Sequence, residues 1–325
     1  LLLNSEFMRK IILLLTLAMT ISFGLFGQTY YWVGGAGNWT DLSKWASCSG
    51  CAGGAFVQVP QSTNDVVIDA GSGFSAVPIA TNRTITLNTG GANVTCRNLT
   101  VQPNVAGFRF SGAVRMDLYG AVTLSSNMNP LQTLWSGNLF LFGTGSQTHD
   151  FAVVRLYNSL ISVEPTGGQH IFNAFNSATT LRLNPNNATG TVTFNTSILG
   201  GTINQNSGAV VFNTIGAGYT TGRITLYSIS GGSLQANLAF GANTFTATGG
   251  TSNFVGQTTF PNVNLSGVNT AVTVAPITHT WTTFNALANQ NSSLNISGAT
   301  IQGLVNWYLY YAAVQLNATG SYFKL

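Results

Sequence analysis

The stretch Gly190-Thr191-Val192-Thr193-Phe194-Asn195-Thr196 returns 18 residues later as Gly208-Ala209-Val210-Val211-Phe212-Asn213-Thr214. In both copies Val and Phe alternate with small or polar residues, the period-2 pattern of a strand with one buried face. Thr193 falls on the outward parity, and the Asn that follows each strand tolerates left-handed turn geometry. One strand and corner cannot bury its own apolar face. Units recurring at about 20 residues solve this by stacking, each coil covering its neighbour, so the repeat predicts a solenoid.

Runs of the same kind extend in both directions from this pair. They include Val66-Val67-Ile68, Thr84-Ile85-Thr86-Leu87, Met116 to Leu124 broken by Gly120, Leu139 to Phe142, Val153 to Tyr157 and Ile171 to Phe175. Further on come Leu181-Arg182-Leu183, Ile224-Thr225-Leu226, Phe245-Thr246-Ala247, Val272-Thr273-Val274 and Leu294-Asn295-Ile296, with Gly- and Asn-rich corners between them. Between Val94 and Val101 the inward parity passes from Val94 and Cys96 to Leu99 and Val101, which places a corner at Arg97-Asn98. The only long helical candidate lies near the N-terminus. The fold class is therefore all-β, a solenoid over residues 61–325 preceded by a cap segment over 28–60.

Charged residues make up 6% of the chain, against about 25% in an average domain. Amides and hydroxyls must replace them on the surface, and stacked Asn or Thr side chains on successive coils can hydrogen-bond to one another. The net charge of +4 comes from dispersed arginines, as in Phe108-Arg109-Phe110 and Leu181-Arg182-Leu183. These read as outward strand positions, with a stripe for acidic polysaccharide as the alternative. No basic cluster with interleaved aromatics points to nucleic acid.

Enzymatic chemistry is poorly provided for. Sugar hydrolysis needs two carboxylates across one cleft, yet only seven acidic residues exist, and Asp117, Asp150 and Glu164 are each isolated in sequence. His149-Asp150 lacks a nucleophile elbow to complete a triad. His149, His170 and His279 show no metal-ligand spacing, and Asp65 and Asp69 read as turn caps rather than a calcium site. No catalytic residue, metal or cofactor is assigned. The alternative is a β-helical polysaccharide lyase or hydrolase that gathers Asp117, Glu164 and an arginine into a groove.

Residues 1–7 read as upstream translated sequence or a cloning remnant. From Met8, Arg9-Lys10 and the apolar run Ile11 to Met19 form a signal-peptide pattern over 8–27, cleaved near Gly27, which predicts export with no transmembrane span in the mature chain. The mature start is rich in rings. Tyr31, Trp32, Trp39 and Trp45 either stack on sugars as a ligand site or cap the first coil, and capping is the favoured reading. Cys48-Ser49-Gly50-Cys51 predicts a short disulfide in an oxidising compartment. Cys96 shares parity with Val94 and reads as a buried apolar residue, with pairing to Cys48 or Cys51 as the alternative. The final Gly320-Ser321-Tyr322-Phe323-Lys324-Leu325 ends in strand-like sequence, so a continuation beyond residue 325 is expected.

The opening Tyr31-Trp32-Val33-Gly34-Gly35-Ala36-Gly37-Asn38-Trp39-Thr40-Asp41 with Trp45, followed by Pro60 and Asn64-Asp65-Val66-Val67-Ile68-Asp69-Ala70, resembles the N-terminal part of large secreted surface proteins of Bacteroidota, the gliding and type IX secretion cargo group. The resemblance covers about 45 residues. It implies a right-handed parallel β-helix, passage through the outer-membrane secretion machinery, and an adhesive role at the cell surface toward carbohydrate or other surface ligands. Cys48 and Cys51 stand where the family pattern leads one to expect Ser, Thr or Gly.

Overall fold

The computed structural model describes residues 9–10, 27–74, 83–87, 90–103, 105, 108–124, 134–135, 137–151, 156–174, 178–183, 190–196, 201–213, 224–287, 292–310 and 314–324. The leader and the signal-peptide pattern lie outside these apart from Arg9, Lys10 and Gly27, as do Val153 and Phe175 of the expected runs. Among the described residues from 27 onward the regular structure is strand, apart from short 3-10 turns at Leu42–Lys44 and Ala70–Ser72. Among the described residues no helix is long and apolar enough to cross a membrane.

The chain is a parallel β-solenoid. A 14-stranded sheet runs from Trp45–Ala46 and Thr29–Trp32 through Asp65–Ile68 to Val314–Asn317. A 13-stranded sheet runs from Val94–Cys96 to Tyr322–Lys324, and a 4-stranded sheet joins Gly37–Asn38, Thr84–Thr86, Arg109–Gly112 and Leu134–Trp135. Val94–Cys96 and Leu99–Val101 belong to different sheets, so the chain turns at Arg97-Asn98 as the parity change required.

In later coils one strand spans a corner that two strands shared before. In Thr258–Leu265 the register to the preceding coil passes from Thr259 to Asn262 with a gap. Phe260 and Val263, three apart, are both buried. Inward parity resets at Pro261 and exposed Asn262, where the backbone bends without leaving the ladder.

The interior is a set of columns running along the axis. Val192 lies against Val210 and Phe194 against Phe212. The Phe172, Phe194 and Phe212 rings stack at centroid separations of 5.0 and 4.9 Å, near the spacing of neighbouring strands, about 4.8 Å. Burying each such side chain contributes about 1.5–3 kcal/mol of transfer free energy, with a further increment from the ring pair.

Two local expectations are corrected. Thr193, on the outward parity, is only 6% exposed because Gln169 of the preceding coil reaches over it and donates its amide to Thr193 Oγ1 at 3.2 Å. Asn195 and Asn213 are not left-handed, since Asn269 is the one non-glycine residue with positive φ among those described. Glycine makes the tight corners instead. Gly232 has φ 78°, and a Cβ there would sit 2.1 Å from the Gly208 carbonyl oxygen of the coil before.

Candidate functional site

The aromatic N-terminal segment closes one end of the stack. Thr29–Trp32 pairs in parallel with Asp65–Ile68 on one side and antiparallel with Trp45–Ala46 on the other. Trp32, Trp39 and Trp45 are at most 1% exposed. The Trp45 ring meets Trp32 and Trp39 edge-on at 5.0 and 4.8 Å. Trp32 Nε1 donates to the Gly35 carbonyl at 2.7 Å and Trp45 Nε1 to the Trp39 carbonyl at 2.9 Å, so the indole N–H groups are satisfied internally. These three indoles are therefore buried in the cap, as the favoured sequence reading had it, and the alternative of sugar-stacking faces at Trp32, Trp39 and Trp45 is set aside. Tyr31 alone of the four keeps partial exposure. Cys48 and Cys51 form the expected disulfide, and Cys96 is buried and free, with burial pushing its thiol pKa upward.

The acidic side chains are largely committed. Arg97 donates Nε and Nη2 to Asp65 at 2.8 and 2.6 Å, and Asn98 adds its amide at 2.8 Å, clamping the corner between the two long sheets. Asp69 caps the turn Ala70–Ser72, accepting from the Gly71 N–H at 2.9 Å. Among the described residues no three His, Cys, Asp or Glu side chains are grouped to hold a metal ion.

A different cluster stands on the outer face of the 13-stranded sheet. Register aligns Asp117 with Phe140, Phe140 with Ser162, and Ser162 with Arg182 on successive coils. Within Leu139–Gly143 the leucines turn inward, and Phe140 and Phe142 are left half-exposed outside, 6.0 Å apart. The Arg115 guanidinium lies 3.6 Å over the Phe140 ring and pairs with Asp117. Asn93 donates to the second Asp117 oxygen at 3.0 Å. Tyr119, 40% exposed, stacks on Phe142 at 5.2 Å. Ser162 donates to Glu164 at 2.7 Å, and Glu164 is in register with Phe142.

Asp117 and Glu164 thus share one face, with a coil between them. Asp117 is 5% exposed and paired with Arg115, while Glu164 accepts from Ser162. The arrangement suits recognition by ring contact, amides and fixed charges. Sequence reasoning offered Asp117, Glu164 and an arginine as one group but missed the outward rings, although a signal for them existed. In Leu139-Phe140-Leu141-Phe142 both parities are apolar, so one pair had to stand outside.

Elsewhere the outer surface carries polar ladders, as the composition suggested. Asn195 donates to Asn173 at 3.0 Å, Asn213 to Asn195 at 3.0 Å, and Asn237 to Asn213 at 2.7 Å. On the other long sheet Asn285 donates to Asn264 at 2.9 Å. No protein-family model, curated protein or solved structure matches the chain.

Proposed function

We propose that this protein is an exported, non-enzymatic, adhesin-like surface protein that binds carbohydrate along the flank of its solenoid. The observation that carries this reading is the outward cluster of Tyr119, Phe140 and Phe142, bordered by the Arg115–Asp117 and Ser162–Glu164 pairs. Half-exposed rings supply apolar contact to the C–H groups of a pyranose, while oriented amides and charged groups bond its hydroxyls. Export rests on the signal-peptide pattern over 8–27, and a formed Cys48–Cys51 disulfide fits an oxidising compartment. The likeness of the opening motif to Bacteroidota surface proteins points the same way, with outer-membrane secretion machinery as the implied partner.

The test is binding of the full chain to a panel of neutral and acidic polysaccharides. The double variant Tyr119→Ser/Phe140→Ser should lose about tenfold or more in affinity, the scale of removing two contact rings, whereas Thr282→Ala on a distant coil should lose nothing. Affinity untouched by loss of the rings would overturn the reading. A polysaccharide-active enzyme is the second reading, favoured by the shared face of Asp117 and Glu164. Release of reducing ends or unsaturated products, abolished by Glu164→Gln, would establish it instead.

A further inference from the structure

We propose that His149 and His170 form an acid-sensitive latch holding the coil that carries Phe140 and Phe142 to the next coil, which carries Ser162 and Glu164, so that protonation opens those coils while distant coils stay closed. Both side chains are fully buried on the inner face of the 14-stranded sheet, where neighbouring positions of the same columns hold Val122, Phe172 and Phe194 around His149 and Gln147 and Val192 around His170. His149 Nε2 and His170 Nδ1 are 2.8 Å apart, with the rings stacked at 5.0 Å. One nitrogen of that contact must donate and the other accept, which requires at least one neutral ring. The remaining nitrogens, His149 Nδ1 and His170 Nε2, are buried with no partner. A second added proton would place two cations in contact in the buried interior, where the described residues show no hydrogen-bond partner for His149 Nδ1 or His170 Nε2.

Among the described residues no charged side chain stands in these columns. The opposite sheet turns Leu139, Leu141, Ile161 and Val163 inward. Arg115, Asp117, Glu164 and Arg182 stand on its outer face. Asp150 follows His149 beyond a shift of register. Desolvation is the main influence on both rings, joined for His149 by His170, and it holds them at about 3 and about 4. The unfolded chain binds protons at the ordinary imidazole value, about 6.5, so this contribution to stability is complete above that value. It is lost as pH falls from about 6.5 toward 4.

The connection to the outer face is short. Leu139–Gly143, carrying Phe140 and Phe142, runs through one corner into Ser146–Asp150, and Leu156–Pro165, carrying Ser162 and Glu164, runs through another into Gln169–Ala174. Because solenoid coils contact only their neighbours, opening can be confined to this pair. His279 provides an internal contrast. Its Nδ1 accepts from the Thr258 N–H at 3.0 Å and its Nε2 meets the Ala275 carbonyl at 2.9 Å, so both nitrogens are used.

Amide hydrogen exchange of the full chain, corrected for intrinsic rates, should show residues 146–150 and 169–174 losing about tenfold or more in protection between about pH 7.5 and about pH 4.5. Residues 233–254 should change little. The variant His149→Phe/His170→Leu, which extends the apolar columns, should flatten the difference. If that variant fails to fold, imidazole carbon shifts of the wild-type protein decide: the latch requires at least one of the two rings to stay neutral until the protected amides begin to exchange. Uniform loss across all coils, or titration of both rings near 6.5 with protection intact, would overturn it. Release of bound polysaccharide over the same pH range would follow only if the carbohydrate reading also holds; exchange without release would sink that reading and leave the latch standing.

Discussion

The coils around residues 190–254 and those around 94–174 are built on one plan and used differently. In the first region successive strands such as Thr191–Phe194 and Ala209–Phe212 repeat after 18 residues, the interior is a column of phenylalanines, and the outside is amide and hydroxyl. In the second, Val122 and His149 are 27 residues apart in register, two histidines interrupt the apolar column, and rings and ion pairs stand outside. A globular core would spread such departures over many contacts. A stack confines them to adjacent coils, so one part can hold the rod together while another takes on different chemistry.

The sharpest way to break the regular region is Phe212→Asp, which puts an unpaired charge into a dry column and removes ring contacts with Phe194, Tyr227 and Phe240. It should cost about 3–5 kcal/mol in denaturant unfolding, with exchange loosening first in the coils beside it. Trp45→Ala should cost about 3 kcal/mol by opening the cap, and its exchange losses should centre on Thr29–Trp32. Asn213→Ala should cost about 0.5–1.5 kcal/mol, the scale of one or two ladder bonds. Thr282→Asp, at an exposed position, should stay within about 0.5 kcal/mol and calibrates the series. Equal costs at Phe212 and Thr282 would mean that the parity of the strands is wrong.

The fold was legible because its information is local: Val192, Phe194, Val210 and Phe212 declare their inward face within seven residues each. The cap was half-legible, since the ring cluster at Trp32, Trp39 and Trp45 marks a special place, but only tertiary packing decides whether rings face in or out. What sequence could not reveal depends on register between coils. Thr193 is covered by Gln169, 24 residues away, and His149 meets His170 across 21. Parity says which side a residue takes, and says nothing about what the next coil lays over it. Composition pointed to Asn ladders in kind, but not to Asn195 and Asn213 as their members, because a lone Asn suggests a turn and only its copies on neighbouring coils make it a rung.

That row of rungs has a sense. From Asn237 through Asn213 and Asn195 to Asn173 every amide donates toward the lower-numbered coil, so the side-chain dipoles add like those of a peptide helix laid outside the backbone. An amide in the middle cannot turn over alone, since that would set N–H against N–H on one side and oxygen against oxygen on the other. The row also responds unequally to chemical ageing. Hydrolysis of the Asn195 amide to a carboxylate leaves an acceptor facing the Asn173 oxygen, converting a bond into a repulsion, whereas removing the side chain only leaves a gap.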